Sequence, residues 1–195
     1  MNNLSKKDVR KKIIAQRDIL SEEEIRERSE IIKNKLFDID EYKNAKNIFL
    51  FTSFGSEVDT HEIIRQALRQ GKRVAVPRVN KETKLMEAKI IDNLEDMAEG
   101  YYGILEPSEA AEEMSPESID LIIMPGVAFD LKGGRIGYGA GFYDKFLKEV
   151  SESTPKIAIA YELQLIEEVP MESYDVRIDG VITEKRITIF KKSSF

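Results

Sequence analysis

The chain has 195 residues, of which 42% are hydrophobic and 34% charged, a balance typical of one globular domain rather than of a disordered or membrane-spanning protein. Its net charge of −6 argues against a nucleic-acid ligand, although a local basic patch could still bind a small polyanion. The absence of cysteine excludes a thiol nucleophile, a disulfide framework and a cysteine-bound metal.

Residues 1–38 predict two amphipathic helices. Ser5 and Asp8 have the spacing of a capping box, and Ser21 and Glu24 repeat it with the more usual glutamate. Because this segment is charged and lacks the apolar core of a signal peptide, we expect a cytoplasmic protein. The apolar runs elsewhere are far shorter than a membrane span, so we expect no membrane contact. Nothing in the pattern demands more than a monomer.

Residues 47–195 alternate between strand and helix patterns. Near-continuous apolar strands between helices are typical of a parallel sheet covered on both faces. We therefore predict a single-domain α/β fold: an open, twisted, mostly parallel sheet with helices on both faces and a closing C-terminal hairpin. The predicted strands are 47–53, 72–76 (ended by Pro77), 85–91, 119–124 and 156–161, the helices 60–70 and 142–150, and the hairpin strands 181–183 and 186–190.

The strand order along the chain predicts where a ligand would bind. Ligands of open parallel sheets lie outside the carboxyl ends of the strands. The segments that follow the predicted strands are 54–59, 77–78, 125–144 and 161–162. We expect these distant pieces of sequence to converge on one crevice.

A glycine-rich stretch at 133–144, GGRIGYGAGFYD, has the chemistry of a phosphate site. Glycines let backbone amides approach an anion, and Lys132 and Arg135 add positive charge. A triphosphate is the ligand that these features favour. The stretch fits neither the dinucleotide GxGxxG pattern, because position 142 is phenylalanine, nor a P-loop. The alternative is a glycine-rich turn that binds nothing.

Two titratable residues near these segments have alternative roles. Asp144 lies in the first turn of the predicted helix, where it could bind magnesium beside phosphates or simply favour the helix dipole. His61, the only histidine, stands at a predicted helix start, where a role at the helix cap is the better explanation. One histidine leaves no histidine-based acid–base pair or metal site.

Residues 124–147, MPGVAFDLKGGRIGYGAGFYDKFL, closely resemble the signature of the 5-formyltetrahydrofolate cyclo-ligase family. Shorter segments fit in order along nearly the whole chain: KKDVR at 6–10, FGSEVDT at 54–60, VPRV at 76–79, GILEP at 103–107 and DGVITE at 179–184. The resemblance implies an ATP- and Mg²⁺-dependent ligase of one-carbon metabolism. Such an enzyme converts 5-formyltetrahydrofolate, with or without a polyglutamate tail, into 5,10-methenyltetrahydrofolate through an N5-iminium phosphate, releasing ADP and phosphate.

The resemblance also implies a role for individual residues. Arg135 and Tyr143 would be catalytic, and Asp144 and Asp179 would bind the metal. Phe54, Asp59, Tyr138 and Phe142 would bind the folate. ATP would be held by Lys6, Arg10, Gly134, Arg135, Ile136, Gly137, Tyr138, Gly139, Ala140, Gly141, Phe142 and Tyr143.

Several of these residues also have simpler explanations. Lys6 and Arg10 could form a solvated helix face, and Asp59 could be a helix-start acid beside Thr60. Phe142 could pack in the core, and Asp179 could be a turn residue before the last hairpin.

The chain departs from the family pattern at Ala140 and Phe142, where glycine and tyrosine are expected, and at Lys145, where arginine is common. Ala140 raises the question of whether that position needs a glycine conformation. Two other functions stay open: a non-catalytic module that senses a nucleotide or folate, and a sugar-phosphate isomerase or transferase on a similar sheet, which fold analogy alone favours.

Overall fold

The computed structural model describes residues 5–80, 82–100 and 103–190. The chain begins with two long helices, α1 (Lys6–Asp18) and α2 (Glu22–Asp38), followed by the short α3 (Asp40–Asn44). Both predicted capping boxes are present, with Ser5 and Ser21 at the N-caps. The side chain of each serine accepts a hydrogen bond from the backbone N–H of the residue three positions later. The carboxylate of that later residue, Asp8 or Glu24, accepts one from the backbone N–H of the serine. The N-terminal helix prediction is confirmed.

Strands and helices alternate after residue 46, as the sequence predicts. Two further helices are α4 (His61–Arg69) and the single-turn α5 (Phe142–Phe146). In chain order the strands are β1 (Asn47–Leu50), β2 (Arg73–Val79), β3 (Met86–Ile91), β4 (Ala98–Glu99), β5 (Leu105–Glu106), β6 (Leu121–Met124), β7 (Ala128–Phe129), β8 (Arg135–Ile136), β9 (Lys156–Ile159), β10 (Gly180–Ile182) and β11 (Ile187–Ile189).

Within the described ranges, seven strands form one sheet in the order β11-β10-β9-β6-β1-β2-β3. The five central strands are parallel, and the two edge strands, β11 and β3, are antiparallel to their neighbours. The hairpin of β10 and β11 closes the chain. The predicted mostly parallel α/β sheet with its C-terminal hairpin is therefore confirmed. The pairs β4–β5 and β7–β8 form small separate hairpins that periodicity did not reveal.

The prediction that Pro77 ends the second strand is wrong. β2 continues to Val79, and Pro77 pairs with Ala88 of β3. On its other side, β2 pairs with β1 only as far as Ala75. Proline lacks a backbone N–H donor, but β1 does not pair with β2 at this position, so no carbonyl of β1 is left without a donor.

The predicted helix through residue 150 is also too long. α5 ends at Phe146, and the next amides of Lys148 and Glu149 bond to carbonyls three residues back, as in a turn. Phe146, Leu147 and Val150 are all buried in the same core. Packing of these apolar side chains against the sheet sets the local path rather than helix propensity.

Buried apolar side chains cover both faces of the sheet. One core contains Ile32 and Leu36 of α2 and Ile64 of α4, packed on one face of the sheet. The opposite core contains Phe146, and the predicted covering of both faces is confirmed. α1 packs against β7 and β8 through a smaller cluster that includes Val9. In the part of the chain that the structure describes, no helix combines the length and apolarity that a bilayer crossing requires.

Candidate active site

A cavity of about 690 Å³ opens at the carboxyl ends of the central strands. Phe54 lies beyond β1, Pro77 lies near the end of β2 and Pro125 follows β6, and all three line the cavity. Three of the four predicted segments therefore converge on this crevice. The fourth, residues 161–162, does not line it: the Tyr161 hydroxyl instead donates to the carbonyl of Glu57. The volume falls within the range of small-molecule sites.

The glycine-rich stretch forms one wall of this cavity. The part of the stretch that forms this wall begins in β8 with Arg135, runs through a loop and ends in α5. Gly139 has a φ of +102°, a conformation that residues with a side chain rarely adopt. A side chain at Gly137 would come within 2.9 Å of the Arg135 guanidinium. Ala140 is not among the described residues with a positive φ, so its departure from glycine costs no backbone strain here.

Two basic side chains of α1 reach the same cavity. Arg10 donates from Nε to the carbonyl of Gly137 at 2.7 Å and packs beside Gly139. Lys6 donates to Asp175 at 2.6 Å and lies 3.9 Å from Glu172. The alternative of a merely solvated helix face fails for both residues, because they contact the cavity wall.

Arg135 is a buried cation at the inner end of the cavity. Only 8% of its surface is exposed, and its guanidinium lies 3.3 Å from the carboxylate of Asp144. A second nitrogen donates to the carbonyl of Pro125 at 3.4 Å. A buried guanidinium in a ligand-sized cavity is suited to a phosphate or a developing negative charge. Packing and the ion pair with Asp144 hold this side chain in place.

Three buried polar atoms find no hydrogen-bond partner among residues 5–80, 82–100 and 103–190. They are the hydroxyls of Thr52 and Tyr143 and the Nε of Arg135. All three residues line the cavity. Buried polar groups are normally paired, and an exception needs an explanation. Burial also raises the pKa of the Tyr143 hydroxyl, so at neutral pH it remains a hydrogen-bond donor.

Glu57 is the cavity residue that sequence reasoning missed. Its carboxylate accepts from the Tyr138 hydroxyl at 2.5 Å and from the backbone N–H of Phe54 at 3.0 Å. Burial raises its pKa above the ordinary range, although both hydrogen bonds oppose the shift. The sequence did offer an indication, because Glu57 is an acidic residue two positions before Asp59 and lies in the segment 54–59 that was expected at the crevice.

Asp59, predicted to bind folate, does not line the cavity. Its carboxylate accepts a hydrogen bond from the backbone N–H of His61 at 2.9 Å. The same oxygen lies 2.7 Å from the ring nitrogen Nδ1 of His61. The His61 side-chain hydrogen bond lowers the pKa of Asp59, against the opposing effect of burial. This is the helix-start role that the sequence left open, and Glu57 occupies the position expected of Asp59.

Asp179, predicted as a metal ligand, also lies elsewhere. It precedes β10 at the amino ends of the strands, where its carboxylate accepts from the backbone N–H of Lys156 at 2.9 Å. Asp144 lines the cavity, which lies at the carboxyl ends of the strands. The structure therefore does not bring the two predicted ligands together. Within the described ranges, no group of three or more acidic or histidine side chains is arranged to hold a metal ion.

Two residues near the start of the glycine-rich stretch also lie outside the cavity. Gly134 is predicted to bind ATP, but its N–H donates to the buried carboxylate of Asp130 at 2.8 Å. Lys132, read as a phosphate-binding charge, instead contacts Glu168 on the surface at 3.1 Å. Asp130 also accepts from the N–H groups of Lys132 and Val169, so this carboxylate holds the turn of the β7–β8 hairpin.

The other predicted site residues do come together. The ones that line the cavity are Lys6, Arg10, Phe54, Arg135, Ile136, Gly137, Tyr138, Gly139, Ala140, Gly141, Phe142, Tyr143 and Asp144.

Comparison with known proteins explains this arrangement. Residues 2–184 match the model of the 5-formyltetrahydrofolate cyclo-ligase family. A mouse protein named 5-formyltetrahydrofolate cyclo-ligase is 31% identical over 194 residues, which cover 93% of this chain and 95% of that protein. The chain belongs to the 5-formyltetrahydrofolate cyclo-ligase family.

Solved structures agree with this cyclo-ligase assignment. The NMR structure of Aquifex aeolicus 5,10-methenyltetrahydrofolate synthetase is 34% identical and superposes with a TM-score of 0.86, over 98% of this chain and 96% of that one. The structure of a 5,10-methenyltetrahydrofolate synthetase from Mycoplasma pneumoniae is 24% identical and has a TM-score of 0.76. The match covers 93% of this chain and 99% of that one. The second likeness supports the α/β fold. In this cyclo-ligase family member, the signature at 124–147 supplies the end of β6, the β7–β8 hairpin and α5.

Proposed function

We propose that this chain converts 5-formyltetrahydrofolate into 5,10-methenyltetrahydrofolate, using ATP and releasing ADP and phosphate. Membership of the cyclo-ligase family supports the substrate. The observation that carries the proposal is that Thr52, Arg135 and Tyr143 all line one cavity and that each has a buried side-chain polar atom without a partner among the described residues. A polar ligand between the glycine-rich wall and the strand ends would satisfy them.

The chemistry that fits is transfer of the γ-phosphoryl group to the formyl oxygen. That oxygen is a poor leaving group until it is phosphorylated. The N5-iminium phosphate that forms is then attacked at its carbon by N10. The C–O bond breaks as the ring closes, and the N10 proton leaves with the phosphate. This sequence requires alignment and charge neutralisation more than a strong base.

Arg135 and Tyr143 are suited to neutralising that charge. The guanidinium of Arg135 is a permanent cation that can contact phosphoryl oxygens, and its Nε supplies a further donor. The neutral hydroxyl of Tyr143 can donate to the oxygen that receives or carries the phosphoryl group. Donors fixed in place before the reaction cost little reorganisation when negative charge develops.

The folate is assigned to the side of the cavity formed by Phe54, Glu57 and Tyr138. The rings of Phe54 and Tyr138 lie 5.6 Å apart and offer apolar surface. Glu57 offers carboxylate oxygens to the amino and N–H groups of a pterin, which present a guanidine-like edge. We assign ATP to the side formed by Lys6, Arg10 and the other residues of 135–143.

Asp144 is the residue that fits a divalent cation bound with the ATP phosphates. Mg²⁺ in such sites commonly uses one or two protein carboxylates together with phosphate oxygens and water. The carboxylate of Asp144 lines the cavity beside Arg135, whereas that of Asp179 does not. Bound there, the ion would neutralise phosphate charge.

The direct test is purified protein incubated with 5-formyltetrahydrofolate, ATP and Mg²⁺ while the absorbance of the methenyl product is followed. We expect product formation that needs all three components and releases ADP in equal amount. A nucleotide- or folate-sensing module would bind its ligand in calorimetry without releasing ADP. Absence of product under conditions where the mouse protein is active would refute the proposal.

A further inference from the structure

Arg17 is a buried arginine that does not line the cavity. It lies in the last turn of α1 with 4% of its surface exposed. A cation is seldom buried in this way unless its nitrogens are bonded. Nε donates to the hydroxyl of Ser56 and Nη1 donates to the hydroxyl of Tyr138, both at 2.9 Å. Arg17 thus joins α1 to two walls of the cavity.

The contact with Tyr138 fixes the direction of a hydrogen-bond chain. A guanidinium can only donate, so the Tyr138 oxygen must accept from it. The single phenolic proton is then directed to Glu57, whose oxygen lies 2.5 Å away. The guanidinium also lies over the Tyr138 ring, 5.8 Å from its centre. Arg17 of α1 therefore fixes both the position of the Tyr138 side chain and the direction in which its hydroxyl donates.

Glu57 is held at the end of this chain. One of its oxygens accepts from Tyr138 and the other from the backbone of Phe54. Ser56, which binds Arg17, is its neighbour in sequence, and the Ser56 hydroxyl in turn donates to Asp18. A shift of Arg17 would move the segment that carries Glu57 and the loop that carries Tyr138.

We propose that Arg17 is a positioning residue for the folate side of the site, acting through Tyr138 on Glu57. The proposal rests on the proposed function, because it assigns the Glu57 side to the folate. It separates the two substrates: Arg17 supports recognition of 5-formyltetrahydrofolate, while Lys6 and Arg10 serve ATP from the same helix.

The test compares Arg17→Gln, Tyr138→Phe and the double variant with the unaltered protein. KM is measured separately for 5-formyltetrahydrofolate and for ATP, together with kcat and the thermal midpoint. We expect Arg17→Gln to raise KM for the folate about tenfold, the equivalent of one charge-assisted hydrogen bond, and KM for ATP by less than about twofold. In the Tyr138→Phe background, the same substitution should add less than about twofold to the folate KM.

Arg28→Gln is the matched control. Arg28 is a partly buried arginine on α2 that pairs with Glu24 and Glu184 away from this cavity. We expect it to leave both KM values unchanged. If Arg17→Gln does not fold, Arg17→Lys, which keeps the charge but has its N–H donors on a single nitrogen, is compared in the same two backgrounds.

Equal rises in both KM values, or an undiminished effect of Arg17→Gln without the Tyr138 hydroxyl, would show that Arg17 only stabilises the fold. Failure of the proposed function looks different. In that case the unaltered protein itself forms no methenyl product and binds no 5-formyltetrahydrofolate in calorimetry, and the assignment of Arg17 falls with it.

Discussion

The guanidinium of Arg135 lies 5.7 Å from the centre of the Tyr143 ring, and each of these two side chains has one buried polar atom without a partner in the described parts of the chain. Both residues line the same cavity. Folding normally pairs such groups, since an unpaired buried donor costs about 1–3 kcal/mol. A site that keeps them unpaired is less stable than it could be, and a polar ligand that bonded to both atoms would recover that cost.

Tyr143→Phe tests this relationship on stability and activity together. Removing a hydroxyl that has no partner should leave the free energy of unfolding unchanged or raise it by up to about 1 kcal/mol. The same change should lower kcat about 10- to 100-fold, because a donor to the reacting oxygen is lost. Denaturant unfolding and the methenyl assay measure the two effects.

Tyr42→Phe is the control for that prediction. The Tyr42 hydroxyl is buried too, but it donates to Gln70 at 2.8 Å, far from the cavity. Its removal should lower the free energy of unfolding by about 1 kcal/mol and leave kcat unchanged. A Tyr143→Phe protein that loses stability while keeping full activity would contradict the catalytic assignment.

Arg135→Ala should reduce kcat/KM by about 100-fold or more, because it removes the buried cation assigned to the phosphoryl group. Arg135→Lys should recover part of the loss, since lysine keeps the charge but not the planar set of donors. Lys132→Ala is the control, because Lys132 contacts Glu168 on the surface. Initial rates of methenyl formation distinguish the three variants, and equal rates for Arg135→Ala and Lys132→Ala would remove Arg135 from the mechanism.

The fold was largely predictable because its signals are local. The serines at the two N-caps and the apolar runs of the central strands each specify an element without reference to distant residues. Pro77 misled the prediction for the opposite reason. Whether proline ends a strand depends on whether a carbonyl of the neighbouring strand lies opposite the missing N–H. Here β1 ends before that point, and where β1 ends relative to β2 is set by tertiary structure.

The site was most predictable where the family signature covers it, and Lys6, Arg10 and Phe54 outside that signature also line the cavity as predicted. Residues 135–144 lie on the cavity as expected, because the chemistry and the positions coincide in one stretch. Asp59 and Asp179 have the right chemistry, but their side chains are used at a helix start and at a strand start. Nothing in sequence spacing distinguishes Glu57 from Asp59. The direction of a side chain two residues further along a loop is set by packing.

The metal assignment is tested by Asp144→Asn and Asp179→Ala. Loss of the Asp144 charge should raise the Mg²⁺ concentration needed for half-maximal activity about tenfold or more, since a carboxylate is a far better Mg²⁺ ligand than an amide. Asp179→Ala should lower the free energy of unfolding by about 1 kcal/mol through loss of the bond to Lys156, with the Mg²⁺ requirement unchanged. Mg²⁺ titrations of activity and of nucleotide binding give both values. A raised Mg²⁺ requirement in Asp179→Ala would return that residue to the metal site.

Glu57→Gln tests the burial of the Glu57 carboxylate through the pH dependence of stability. Burial raises the pKa of Glu57 in the folded protein above its ordinary value of 4.5. The folded state therefore holds this proton more tightly than the unfolded chain. The stability that results is fully present below pH 4.5 and is lost as the pH rises through the folded-state pKa. Glutamine keeps an acceptor oxygen but does not titrate, so the stability of Glu57→Gln relative to the unaltered protein should increase from acid to neutral pH.

Glu24→Gln provides a control of opposite sign. The hydrogen bond from the Ser21 backbone lowers the pKa of Glu24, against a small opposing effect of burial. Its charged form therefore stabilises the fold above the ordinary pKa, and that stability is lost as the pH falls. Relative to the unaltered protein, Glu24→Gln should become less stable towards neutral pH while Glu57→Gln becomes more stable. Denaturant unfolding at acid and neutral pH measures both differences. A Glu57→Gln difference that does not change with pH would mean that folding leaves the pKa of Glu57 at its ordinary value. Glu57 would then be ionised at neutral pH, and its carboxylate would need a cationic or N–H-rich ligand to balance its charge.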